Sequence, residues 1–182
     1  MSTMATPQAV IGFWQAAGPD KWFNKDDAFD REIAARFRPT CEAAAAGQLA
    51  AWEDSAESAL ALTLVLDQFP RNMFRGDKRA FAADALARQV ASRALARNFD
   101  QAVARDLRSF FYLPFMHSEA LSDQERCVAL YEALGEPEGI RYAEIHADII
   151  RRFGRFPHRN AALGRETTAE EKAFLEGGGF SG

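Results

Sequence analysis

The chain is poor in the residues that build sheet, with five Val and six Ile in 182 residues against an abundance of Ala, Leu, Arg and Glu. β-branched side chains favour strands and straight-chain ones favour helices, so a sheet-based architecture is excluded. Cysteine is scarce as well. Cys41 and Cys127 stand far apart and outside any C-x-x-C pattern, which excludes a disulfide scaffold and reads as two reduced packing residues. There is no basic block: 22 Lys and Arg face 26 Asp and Glu, for a net charge of −4 and a pI near 5.5. Without a basic patch there is no electrostatic source for a hold on nucleic acid or anionic lipid, so neither nucleic acid nor membrane is expected as a partner. The longest apolar run, residues 59–66 broken only by Thr63, is far too short to span a bilayer. The first basic side chain is Lys21, so no basic segment precedes an apolar one, and a soluble cytoplasmic protein is expected. Hydrophobic residues make up 48% of the chain, which excludes disorder and suits one helical domain over residues 1–176. The glycine-rich tail, 177–182, reads as flexible.

Helix starts and stops are marked throughout. Thr6-Pro7 opens a first helix and Gly18-Pro19 closes it. Asp26 or Asp27 opens a second, with Phe29, Ile33 and Phe37 on one face, and Pro39 is expected to end it before a short Ala-rich piece that stops near Gly47. Asp54-x-x-Glu57 resembles a capping box ahead of a helix that is apolar on every side, hence central and buried, with Phe69-Pro70 as its end. Gly76-Asp77 restarts the chain, and an Ala-rich helix should run to about Arg97. Ser122-x-x-Glu125 and Thr168-x-x-Glu171 mark two later starts, with Gly135 and Pro137 between neighbouring helices. The pattern predicts an all-α fold of eight or nine helices in antiparallel pairs, similar to a tetratricopeptide array but without its 34-residue consensus.

Several polar residues sit where a plain helical array does not need them. Asp67 falls at the expected end of the most apolar helix, where the macrodipole is negative, so it calls for a partner among Arg71, Arg75, Arg155 and Arg159. Either it ties the helix end to an arginine or it is a carboxylate held in a cleft. His117 and Glu119 follow Pro114 on a connection between helices, where an imidazole is placed for proton transfer or, more simply, Ser118 and Glu119 cap the next turn. His146 shares a helix face with Tyr142, Ile149, Ile150 and Phe153 and should point inward. The densest cationic stretch follows, 151–160 with Gly164-Arg165 beyond, and arginines among aromatics there suit either a small phosphate or carboxylate or a set of paired rivets between helices. No glycine-rich phosphate loop, nucleophile elbow, dinucleotide fingerprint or metal-binding histidine spacing is present, so no cofactor and no metal are expected.

Three phrases carry a resemblance. Leu62-x-Leu64-Val65-Leu66-Asp67-Gln68-Phe69-Pro70-Arg71-Asn72-Met73-Phe74-Arg75-Gly76 is the first, Leu113-Pro114-Phe115-x-His117-Ser118-Glu119 the second, and the run from His146 through Phe153-Gly154-Arg155-Phe156-Pro157-His158-Arg159-Asn160 to Phe174-Leu175 the third. Together they resemble the bacterial family of domain of unknown function 924, over nearly the whole chain from Phe13-Trp14 to Leu175. The resemblance implies an all-α, tetratricopeptide-like fold and no established activity. It also implies which residues travel as a set: Asp67, Gln68, Arg71, Asn72, His117, Glu119, His146, Arg155, His158, Arg159 and Asn160. One departure is minor, Glu166-Thr167 standing where the family more often has Glu-Ser.

Three readings of that set remain. It is an internal hydrogen-bond network that fixes how helices meet. Or the chain is a binding module whose polar concave site takes a small anionic ligand or a peptide, with Arg71, Arg155 and Arg159 as charge partners and Asn72 and Asn160 as orienting amides. Or it is a hydrolase-like acid/base enzyme, with His117 or His158 carrying the proton and Glu119 or Asp67 orienting it. The binding module is the leading expectation, and all three segments are expected to converge on one site. Nothing in the sequence fixes an oligomeric state.

Overall fold

In the computed structural model, which describes residues 4–180, the chain is helical from end to end, and no strand occurs among the described residues. Ten α-helical segments follow one another: α1 (Pro7–Ala17), α2 (Pro19–Trp22), α3 (Asp27–Ala45), α4 (Ala56–Met73), α5 (Asp84–Ala96), α6 (Leu113–Met116), α7 (Leu121–Leu134), α8 (Pro137–Phe153), α9 (Asn160–Leu163) and α10 (Ala169–Glu176). Three of them, α2, α6 and α9, are single turns of four residues. Short 3₁₀ turns link the longer helices. No helix among the described residues is long and apolar enough to cross a membrane.

The chain divides into two compact units. The first holds the residues up to Arg75 together with Arg79–Pro114, and the second holds Gly76–Lys78 and the chain from Phe115 onward. In the first, α1, α3 and α5 all pack on α4. Every residue of α4 from Ala59 to Pro70 is buried, as the helix apolar on all sides requires. Its aromatic neighbours interlock: Trp14 lies 5.6 Å from Phe69 and 5.4 Å from Phe110, and Phe37 lies 4.9 Å from Phe69. In the second, α7 packs on α8 and a smaller core gathers Ile149, Ile150 and Phe156, with Phe153, Phe174 and Phe180 against it. Phe180 is carried there by the glycine-rich tail, of which residues 181–182 lie outside those described.

Five boundaries differ from the punctuation. Pro39 and Pro70 lie inside α3 and α4 instead of ending them. A proline removes its own N–H and crowds the preceding turn, but burial of Thr40, Cys41, Ala43 and Ala44 beyond Pro39, and of Asn72 beyond Pro70, holds the helix on its course. The cap of α4 is Ser55, whose hydroxyl accepts from the Ser58 amide, while Asp54 ends a 3₁₀ turn. A 3₁₀ turn, Lys78–Phe81, follows Gly76-Asp77, and the Ala-rich helix starts only at Asp84. Ser122 caps nothing: the N-cap of α7 is Ala120, with no side-chain cap bond, and Ser118 fixes the turn before it by accepting from the Ala120 amide and donating to Asp123. Thr168 and Glu171 do form the full capping box of α10.

Candidate binding cleft and its polar surroundings

The polar set divides between the two units. Asp67, Gln68, Arg71 and Asn72 belong to the first; His117, Glu119, His146, Arg155, His158, Arg159 and Asn160 belong to the second.

In the first unit, α4 runs on past Pro70, so Asp67 lies in the body of the helix, fully buried, with Arg71 one turn ahead of it. Arg71 Nη1 lies 3.3 Å from Asp67 Oδ1 and donates to the Asp67 carbonyl at 2.8 Å. The same guanidinium makes a bidentate pair with Asp84 at the start of α5, at 2.8 and 2.9 Å. Burial works against the charge of Arg71, but Asp67 and Asp84 outweigh it and hold the group more firmly protonated. Gln68 donates to Asp67 at 2.6 Å, and Asn72 and Arg75 both donate to Asp30 of α3. These bonds tie α4 to α3 and α5. Asp30 and Asp84, the partners that complete them, have no signal in sequence beyond being acids at helix starts.

The second unit holds the other cluster. α8 ends on Gly154 and α9 on Gly164, both in the left-handed region at φ +68° and +64°, and each glycine turns the chain so that the next residue is an arginine pointing back at a carboxylate. Arg155 pairs with Glu171 through Nε at 2.6 Å and Nη2 at 2.9 Å, and Nη2 also reaches the Glu166 carbonyl. Arg165 pairs with Glu119 at 2.7 and 2.9 Å and donates to the Phe156 carbonyl and to Asn160 Oδ1. Glu119 also accepts from the Phe156 amide at 2.8 Å. Asn160, fully buried, closes the circuit by donating to Glu171 and Thr167. The connection that carries His117 and Glu119 is itself fixed by buried Gln124, whose Nε2 donates to the carbonyls of Phe115, Met116 and Ser118.

Electrostatics follow from these pairs. The Arg155 hydrogen bonds pull the Glu171 carboxyl down to about 2. Burial raises Glu119, but the Arg165 hydrogen bonds, the Phe156 amide and the nearby Arg165 and Arg159 charges overcome it, and the carboxyl is lowered. Among the histidines, His146 is 6% exposed, and burial pushes it down to about 4, with the positive charges of His117, His158 and Arg159 adding to the effect. Its Nδ1 lies 2.7 Å from the Tyr142 carbonyl, which only accepts, so Nδ1 carries the proton and the ring is neutral at pH 7. His146 and His158 flank Phe156 and Phe180, and Arg159 stacks on the Phe156 ring at 4.5 Å. His146 therefore points inward as expected, while Tyr142, expected on the same buried face, is 44% exposed. Glu119, expected to orient a histidine, bonds Arg165 instead. No group of three or more His, Cys, Asp or Glu among the described residues is placed to hold a metal. Both cysteines are buried and unbridged, and burial pushes their thiols up to about 12.

Beside this circuit lies an open cleft of about 580 Å³, lined by Arg155, Arg165, Glu166, Thr167 and Thr168. The lining brings guanidinium and hydroxyl donors together with the Glu166 carboxylate. The bonds above leave both N–H groups of Arg155 Nη1 and one of Arg165 Nη1 without an acceptor among the described residues. Thr167 and Thr168 use their hydroxyl oxygens as acceptors for Asn160 and the Glu171 amide, which leaves both hydroxyl protons to donate. Arg165, Thr167 and Thr168 were absent from the set read in the sequence. Gly164-Arg165, the second of two Gly-Arg pairs, was the available sign.

Residues 10–179 match the family described as bacterial protein of unknown function, DUF924. The chain is similar to a solved structure of a protein of unknown function from Agrobacterium tumefaciens, with 53% identity and a TM-score of 0.91 over 94% of this chain and 97% of that one. It matches no curated protein. By the extent of the family match and the identity to that structure, the chain belongs to the DUF924 family of bacterial proteins of unknown function.

Proposed function

We propose that the chain is a binding module that takes a small anionic group, free or at the end of a peptide, in the cleft of the second unit. One observation carries this reading: the N–H and O–H groups on Arg155, Arg165, Thr167 and Thr168 that the described residues leave unused beside open solvent, with the Glu166 carboxylate at the same cleft limiting the charge it accepts. Carboxylate and phosphate oxygens are the acceptors that guanidinium edges and hydroxyls fit. The Asp67–Arg71–Asp84 and Asp30–Asn72–Arg75 clusters act in this reading as ties between helices, with no ligand role. Because Glu171 and Glu119 already neutralise the two arginines, the hold is by hydrogen bonds more than by net field. That favours a monoanion over a dianion and predicts affinity that changes little with added salt.

The test is a titration of the wild-type protein with acetate, dimethyl phosphate and sulfate, read by melting temperature and by the NMR signals of the Arg155 and Arg165 Nε–H groups. Saturable shifts in both, stronger for the monoanions and weakened in Thr167→Val, are the expected result. Unmoved arginine signals at millimolar concentrations of all three would reject the cleft as an anion site.

A further inference from the structure

A second cavity, of about 290 Å³, lies in the first unit between α4, α5 and the 3₁₀ turn Ala50–Asp54. Its floor is apolar, made by Ala59 of α4 and by Val90 and Ala94 of α5, all nearly fully buried. Alanines at 59 and 94 leave a notch that larger side chains would fill. Continuing the same face at spacings of three and four stand Arg93 of α5 and Arg97, its C-cap. The two arginines differ in their partners. Arg93 is matched by Glu53 in a bidentate pair at 2.6 and 2.8 Å. Arg97 donates only to neutral groups, the carbonyls of Glu53 at 2.7 Å and Asp54 at 3.3 Å, and stacks on Phe99 at 4.2 Å. No carboxylate among the described residues pairs with it. Two carbonyls and a ring hold this guanidinium in place, and three of its N–H groups remain. It is a fixed cation beside an apolar floor, and fixing it in advance lowers the entropy cost of binding.

We propose that this notch binds a short-chain carboxylate, with its carboxylate on Arg97 and its hydrocarbon against Ala59, Val90 and Ala94. The uncompensated charge sets the sign of the ligand, and the floor sets the apolar character of the rest. At ~30 Å³ for a water-sized group, the cavity holds roughly ten heavy atoms, which suits a chain of about four to six carbons. This site is independent of the cleft in the second unit.

The experiment is a set of ¹H–¹⁵N titrations of the whole wild-type chain at pH 7 and fixed ionic strength with hexanoate, acetate, hexanol and hexylamine. Hexanoate should give saturable shifts in residues 53–59 and 90–97 at low millimolar concentration, at least about tenfold tighter than acetate and than either non-anionic homologue. Arg97→Gln, at an exposed position, should weaken hexanoate about tenfold while leaving hexanol unchanged. Ala96→Leu, at the exposed rim of the cavity, should block binding without lowering the melting temperature. Equal binding of hexanol and hexanoate would overturn the proposal, as would hexanoate shifts confined to residues 155–168 or shifts in 90–97 that depend on protein concentration alone. The four-ligand comparison on wild type decides the matter even where a variant fails to fold.

Discussion

Arg71 holds two carboxylates from different helices at once, and one of them, Asp67, has no exposure to water. Arg71→Met would keep the bulk and remove the charge. Breaking a buried pair from one side is costly, so urea unfolding should show a loss of about 3 to 5 kcal/mol, against less than 1 kcal/mol for an exposed pair such as Arg36 with Glu32. A small loss at Arg71 would mean that the cluster does not tie α4 to α5. Gly164 is a different kind of constraint. Nothing lies within 4 Å of where a Cβ would stand, so Gly164→Ala meets only the left-handed backbone, at a cost of about 1 to 2 kcal/mol. If that strain is relieved by a shift of the turn, the Arg165 Nε–H signal should move as well. Asp67 was legible at this scale, since an acid in an apolar helix demands a cation and Arg71 stood one turn away. Asp84 was not, because a partner 13 residues off, beyond an intervening turn, leaves no local trace.

At the scale of elements, the start of α4 separates two neighbouring candidates. Ser55 makes the cap bond and Asp54 makes none with its side chain. Ser55→Ala should therefore cost about 1 kcal/mol in thermal or urea unfolding, and Asp54→Asn should cost clearly less. The reverse order would put the helix start one residue earlier. The sequence placed this start correctly to within a residue because any Ser or Asp just before an apolar run is a good cap. Choosing between adjacent good caps depends on which backbone turns extended, and at Ser55 it does, with ψ 159°. Pro39 and Pro70 fail as stops for a related reason. Local propensity opposes a helix there, but the residues that follow are buried, and tertiary burial overrides a local cost of ~3 kcal/mol.

For the whole molecule, pH is the most direct probe. His146 falls from its ordinary 6.5 to about 4 on folding, so the unfolded chain takes up a proton that the folded chain refuses. Stability is unaffected by this group above pH 6.5 and declines as pH drops from 6.5 towards 4, by roughly 3 kcal/mol in all. Glu171 acts in a lower window: its stabilisation is complete above 4.5 and is lost as pH falls from 4.5 towards 2. Melting temperature should thus fall in two stages on acidification, and His146→Gln should remove the first stage alone. A flat profile between pH 7 and 5 would show that His146 protonates in place without cost.

By itself the sequence determined the helical class, the buried centre of the first unit and the family. These rest on composition, on period and on long phrases, all of which are local or additive along the chain. It also singled out some of the polar residues that matter for packing, Asp67 and Arg71 among them, because a charge in an apolar setting is conspicuous. Only the tertiary structure decided what those charges do. Arg165 meets Glu119 from 46 residues away, Arg155 is matched by Glu171, and Arg97 meets carbonyls with no acid. Whether an arginine is neutralised or left with a charge to offer depends on which side chain comes to face it, and that is settled by the packing of helices rather than by any neighbour along the chain.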